Sequence, residues 1–178
     1  PELPGGIFAS YHAYPYYPDF MSLDPGYAQA RDASGPSAYA GYLRDLVRYH
    51  AGRPVLIAET GVPTSRGVSH KHIQGFDHGG HDEKAQAAID ARLVRDTQET
   101  GCAGVVLFSW IDEWFKRNWL FTDIEIPAER NPLWLNVLDP EQNFGIVEAA
   151  AGPEQGGIVL DGKTADWEGV APLYPPRA

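Results

Sequence analysis

Three short apolar runs stand out along the chain: Ile7-Phe8-Ala9-Ser10-Tyr11, Val55-Leu56-Ile57-Ala58 and Val105-Val106-Leu107-Phe108. Their apolar residues are successive, not alternating, which is the pattern of a strand buried on both faces. Between the first two runs, Tyr39, Tyr42, Leu43, Leu46, Val47 and His50 recur at helical spacing and form one stripe. Pro36 and Ser37 suit the start of that helix, and Gly52 suits the position just past its end. A second helix is predicted from about Asp82 to Thr100, with Ala85, Ile89 and Leu93 on one face. Asp82 and Glu83 favour its N-terminal dipole, and Gly101 closes it. The order strand, helix, strand, helix, strand is that of a parallel α/β protein. It fits an open doubly wound sheet or part of a barrel. Glu59-Thr60-Gly61-Val62-Pro63 is no dinucleotide fingerprint, and no Gly-rich phosphate loop follows any of the runs.

After Trp119 the pattern changes. Pro132 to Leu138 reads as a short helix, residues 149–157 as an Ala/Gly/Pro-rich linker, and Ile158-Val159-Leu160-Asp161-Gly162 as a strand and turn. The expected organisation is a unit over 1–148, a linker over 149–157 and the opening of another domain over 158–178. A start at Pro1, just ahead of an apolar strand, leads us to expect upstream sequence.

Composition narrows the classes. With 43% apolar and 21% charged residues, the 178-residue chain is globular rather than disordered. A formal net charge of -10 argues against nucleic acid, whose phosphates need clustered Lys and Arg, and suits a neutral substrate. The single cysteine, Cys102, allows no intrachain disulfide and reads as a small buried apolar residue. That fits a cytosolic protein and also many secreted bacterial enzymes, so the compartment stays open, with an extracellular or periplasmic place favoured. No apolar run approaches the ~20 residues of a membrane span.

In parallel α/β proteins, functional groups gather at the carboxyl ends of the strands. Here those ends carry Tyr11-His12-Ala13-Tyr14-Pro15, Glu59-Thr60-Gly61 and Ser109-Trp110-Ile111-Asp112-Glu113-Trp114. Glu59 is the sharpest signal. A carboxylate directly after Val-Leu-Ile-Ala would be largely shielded from water, so it is either paired structurally or used. In a parallel sheet His12 and Tyr14 would flank it on one side and Trp110 on the other. Tyrosine or histidine can orient a carboxylate, and tryptophan offers a flat face to a sugar ring; rim packing is the plainer role of such aromatics.

These three strand ends, in this order and with a helix in each gap, resemble the C-terminal part of the large clan of retaining (β/α)₈-barrel glycoside hydrolases. The resemblance covers about residues 5–119 and corresponds to strands six to eight of the barrel. It implies a partial TIM barrel made of the last three β/α units, with a β-linked glycan or glycoside as substrate. Glu59, in Ile57-Ala58-Glu59-Thr60-Gly61, would be the catalytic nucleophile, oriented by Tyr14 or His12, with Trp110 against the sugar. The mechanism implied uses two carboxyl groups about 5–5.5 Å apart, one attacking the anomeric carbon and one acting as acid and then base.

The chain departs from that pattern where the acid/base glutamate is concerned. That residue belongs to strand four, usually after an asparagine, and this chain contains no Asn-Glu dipeptide. Asp112 and Glu113 are weak substitutes, better read as loop caps or outer-cleft residues. Three β/α units do not close an eight-stranded barrel. The expectation is therefore a catalytic-domain fragment, inactive alone, that self-associates or pairs with a missing N-terminal half-barrel.

A second constellation lies in the long connection after Glu59, where His70, His72, His78 and His81 are four of the six histidines. Loops this long are often lids. Arg66 and His70 are candidate sugar contacts. His-x-His also resembles a metal-ligand spacing, but no firmly spaced Cys or carboxylate set accompanies it, so neither metal nor cofactor is expected. Trp114, with Phe115 and Trp119, reads as an outer sugar platform with Lys116 and Arg117 at its rim, or as a latch holding the loop. Asp161 to Trp167 resembles the opening of a carbohydrate-binding β-sandwich module, or is a plain Asp-Gly turn. Two alternatives stand beside the hydrolase: a non-catalytic carbohydrate-binding or assembly protein on the same fold, and a metal-dependent hydrolase built on the histidine loop.

Overall fold

A computed structural model describes residues 5–113, 116 and 139–147. The chain divides into two compact units, Pro1–Val147 and Glu148–Ala178. The expected linker, the β-sandwich-like tail, the helix over 132–138 and Trp114 all lie outside the described residues.

The first unit is mixed α/β. In chain order it comprises β1 (Ala9–His12), α1 (Phe20–Leu23), α2 (Pro25–Ala28), β2 (Arg31–Asp32), β3 (Gly35–Pro36), α3 (Ala38–Tyr49), β4 (Val55–Thr60), α4 (Glu83–Glu99) and β5 (Gly104–Leu107). β1, β4 and β5 form a parallel sheet in the order β1-β4-β5, so the three apolar runs are neighbours with a long helix in each crossover. β2 and β3 make a short antiparallel ribbon ahead of α3. The described residues show no closed barrel.

Both long helices start where the sequence places them. Ser37 caps α3 by accepting from the Ala40 N–H, and Asp82 caps α4 by accepting from the Ala85 N–H. Tyr39, Leu43 and Leu46 of α3, Val55 and Ile57 of β4 and Leu93 of α4 close one core cluster. The buried face of α4 is rotated from the Ala85-Ile89-Leu93 line and carries polar side chains, Gln86, Asp90, Asp96 and Thr97. Each has a hydrogen-bond partner: the Gln86 amide donates to Val62 O (3.0 Å), Asp90 accepts from Val62 N (3.1 Å), Asp96 accepts from Ser37 Oγ (2.7 Å) and Thr97 donates to Leu93 O (2.8 Å). A hydrophobicity stripe is blind to such a face, because burial there is sustained by hydrogen bonds rather than by apolar area.

The expectation of strands buried on both faces is not met in full even by the central β4, whose Val55 and Ile57 share one buried face while Leu56 and Ala58 on the other are half-buried. Val55 and Ile57 are buried, whereas Phe8, beside β1, and Val106, within β5, are each more than half exposed. The centre of a three-stranded sheet is covered and its edges are not. No helix among the described residues is long and apolar enough to cross a membrane.

Candidate active site

The site is built from a shift in strand register. β1 pairs with β4 as Ala9 with Val55, Ser10 with Leu56 and Tyr11 with Ile57; the register then skips one residue, and His12 pairs with Glu59. This sets the His12 ring beside Glu59, Nδ1 3.1 Å from Oε2. Two residues further on, the Tyr14 hydroxyl donates to the same oxygen at 3.0 Å. Among the described residues Glu59 Oε1 accepts no hydrogen bond. One oxygen is therefore fixed by two groups and the other is unclaimed. The Glu59 side chain is 32% exposed, less shielded than its place after Val-Leu-Ile-Ala suggests.

Burial, then the charge of Glu59 and the hydrogen bond to it, pushes the Tyr14 hydroxyl far above its usual range. Tyr14 is thus a permanent donor at any working pH. Just past β4, Gly61 has φ +150°, and a Cβ there would lie 2.5 Å from Phe108 O. Glycine is what lets the two strand ends close up beside Glu59.

Glu59 opens into a cavity of about 370 Å³ that His12 and Tyr14 also line. Tyr17, Phe108 and Phe144 form further walls, and Lys116 and Glu141 complete it. Of these five, Lys116 was expected at the rim and Phe108 within the third apolar run, whereas Tyr17, Phe144 and Glu141 do not emerge from the strand-end reading. Phe108 stands where Trp110 was expected: Trp110 is 70% exposed, and the cavity wall at the end of β5 belongs to Phe108. Phe144 and Glu141 come from residues 139–147, a segment that docks across the strand ends. Thr64 N donates to Asn143 O (2.8 Å), and Asp112 accepts from Gly145 N (2.7 Å) and from the Asn143 amide (3.1 Å). Asp112 thus caps a loop. Glu113 pairs with Lys116 (3.0 Å), and Lys116 also reaches Glu141 (3.3 Å) while lying 4.7 Å over the Phe108 ring.

Burial first, then the charges of Glu141 and Glu59, lifts the Tyr17 hydroxyl to about 12. Tyr17 is a protonated donor between the two carboxylates of the cavity. The one signal for it in the chain is the dense Tyr14-Pro15-Tyr16-Tyr17-Pro18 run.

The histidine loop lies beside this cavity without lining it. His70 and His78 face each other across a β-bridge, ring centroids 6.1 Å apart, and His78 stacks on Tyr16 at 4.3 Å. Ser69 Oγ lies 2.6 Å from His78 Nδ1. Burial, with smaller effects from His70 and Lys116, drives the His78 ring down to about 3, so it is neutral, and its Nε2 lies 3.7 Å from Glu141. His72 is buried against Phe76, and burial lowers its pKa as well. Arg66 is exposed and, like His70, stands apart from the cavity lining. Among the described residues no three His, Cys, Asp or Glu side chains converge as a metal site. His70, His72 and His78 pack as aromatic rings, and His81 Nε2 lies 2.9 Å from Asp77 O. No family model, no curated protein and no solved structure matches this chain.

Proposed function

We propose that this chain is the strand-six-to-eight portion of a retaining (β/α)₈-barrel glycoside hydrolase, with Glu59 as its nucleophile. The observation that carries the reading is the state of Glu59. It sits at the C-terminal end of the central parallel strand with Oε2 held by Tyr14 and His12, while Oε1 is unclaimed beside a sugar-sized cavity. An attacking carboxylate needs that division: an anchored oxygen that fixes the plane and a second one open to the anomeric carbon. The helix-separated parallel order β1-β4-β5 is also that of consecutive β/α units of a barrel.

In the proposed reaction Oε1 attacks the anomeric carbon as the glycosidic bond breaks and the aglycone leaves as an alcohol, protonated by the acid that the resemblance assigns to strand four; water, deprotonated by the same group, then hydrolyses the glycosyl ester on Glu59. Tyr17, a neutral hydroxyl in the cavity wall, would donate to the ring oxygen or a neighbouring hydroxyl. One observation favours the second reading, a non-catalytic carbohydrate-binding or assembly protein. The other carboxylate of the cavity, Glu141, is ion-paired with Lys116 and so is poorly suited to deliver a proton.

Fluorinated dinitrophenyl β-glycosides separate the two. Dinitrophenolate departs without a proton donor, and the fluorine slows turnover of the ester, so a competent nucleophile is trapped. The expected result is one sugar adduct per chain by intact mass, mapped to Glu59 and absent in Glu59→Gln. Binding of the sugar with no adduct across a panel of β-glycosides would support the non-catalytic reading instead.

A further inference from the structure

Lys116 and Glu141 are separated by 25 residues of chain, yet they meet in the wall of the Glu59 cavity, each with a side chain 29% exposed. We propose that this pair grips two adjacent hydroxyls of the sugar ring and restricts the cavity to neutral sugars. The inference rests on the glycosidase reading of Glu59 and deepens it by naming the substrate class.

The donor and acceptor counts leave room for a ligand. An ammonium has three donors, and Lys116 uses two, on Glu113 Oε2 (3.0 Å) and Glu141 Oε2 (3.3 Å). A carboxylate offers about four lone-pair sites, and the only hydrogen-bonding partner of the Glu141 carboxylate among the described residues is Lys116. Its other neighbour, the neutral His78 ring, stands off at 3.7 Å. Among the described residues a free acceptor and a free donor thus lie side by side on two groups 3.3 Å apart, close enough for two adjacent hydroxyls of one ring to meet both. One hydroxyl donates to Glu141 while its neighbour accepts from Lys116. The aromatic faces of Phe108 and Phe144 supply the apolar wall against which such a ring would rest.

Charge sets the class of sugar. Lys116 is already neutralised by Glu113 and Glu141, and Glu59 adds a further carboxylate to the same cavity, so its wall is net negative. A uronic acid would meet repulsion rather than a free cation. The pairing also pushes the Lys116 ammonium above its usual range, through the Glu113 hydrogen bond and the Glu141 charge acting against burial, so the donor persists at alkaline pH. Glu141 is a specificity residue here and not the missing acid.

The test measures single-turnover dinitrophenolate release from a series of fluorinated dinitrophenyl β-pyranosides, each lacking one further ring hydroxyl, by the full chain and by its Glu141→Gln and Glu141→Asp variants. For one or two adjacent positions, deleting the hydroxyl should slow the wild-type chain by roughly tenfold to a hundredfold, the worth of a hydrogen bond to a charged group. The same deletion should slow Glu141→Gln by less than about threefold, with Glu141→Asp in between. The matching uronate should react at least about tenfold more slowly than the neutral sugar on wild type, a comparison that needs no variant. Equal losses in wild type and both variants at every position, or a uronate as fast as the neutral sugar, overturns the inference while leaving a Glu59 adduct in place. If no sugar forms a Glu59 adduct on wild type, the glycosidase reading fails, and this inference fails with it.

Discussion

Two parts of the molecule build carboxylates into hydrogen-bonded clusters, and they treat them in opposite ways. Behind the sheet, Asp32, Asp96, Arg92 and Ser37 form a closed cluster. Arg92 reaches Asp32 with two donors (2.6 and 3.0 Å) and also donates to Pro36 O (2.6 Å), with its guanidinium 5.0 Å over the Phe76 ring. Burial would lift the Asp32 carboxyl, but hydrogen bonds from Arg92, Asp96 and the Ser34 N–H hold it well below its usual range. Burial and the neighbouring Asp32 lift the Asp96 carboxyl to about 7. At the strand ends, Glu59 has one oxygen fixed and one unclaimed. A carboxylate fully engaged by its neighbours ties elements together, whereas one left half-engaged beside a cavity has capacity for a ligand.

The sharpest way to break that contrast is Arg92→Met. It strands Asp32, whose side chain is 3% exposed, beside a second buried acid, and should cost roughly 3 kcal/mol of stability in urea unfolding. A cost below about 1 kcal/mol would mean that the cluster ties little together.

Asp90 tests the closed region through pH. Burial raises its carboxyl to about 7 against the pull of the Val62 N–H. The folded protein therefore keeps a proton that the unfolded chain releases near pH ~4, so this group's contribution to stability falls as pH rises from there to about 7. Asp90→Asn should flatten that slope and gain on the order of 2 kcal/mol at pH 8. An unchanged pH profile would contradict the assignment of a buried neutral acid.

His78 has the opposite sign. Its folded ring stays neutral down to about 3, while the unfolded ring titrates near ~6.5, so its contribution is lost as pH falls between those values. Wild type should lose about 1 kcal/mol from this ring between pH 6 and pH 5, and His78→Phe, which keeps the stack on Tyr16, should not. Equal losses in the two proteins would place the acid sensitivity elsewhere.

The smallest effect on stability is expected at the candidate nucleophile. Glu59→Gln should change the unfolding free energy in urea by no more than about 0.5 kcal/mol, because the side chain is partly solvated and its amide oxygen still accepts from Tyr14. A loss as large as that of Arg92→Met would make Glu59 a structural residue and remove the contrast.

What could be read in the chain, and what could not, divides by sequence distance. The caps Ser37 and Asp82, the α3 stripe and the three apolar runs are local signals, and each is set by neighbours within a few residues. Glu59 was legible for the same reason: a charge that ends an apolar strand is conspicuous wherever the strand lies. His12 and Tyr14 followed from parallel order alone, although the one-residue shift that seats His12 beside Glu59 did not. The one-turn helices α1 and α2 and the β2–β3 ribbon left no period long enough to detect. The polar face of α4 was invisible because its partners, Val62 and Ser37, lie far off in the chain.

By itself, then, the sequence determined the order of the parallel elements, their caps and the carboxylate at the end of the central strand, because these rest on short-range periodicity and on the cost of burying charge. Only the tertiary structure decided which side chains beyond His12 and Tyr14 share the cavity with it. Phe108 rather than Trp110 forms the wall, and Glu141, Phe144 and Lys116 arrive through the docking of residues 139–147 and the Lys116 ion pairs. Those contacts arise from hydrogen bonds and ion pairs between segments distant in the chain, for which a linear pattern has no period to show.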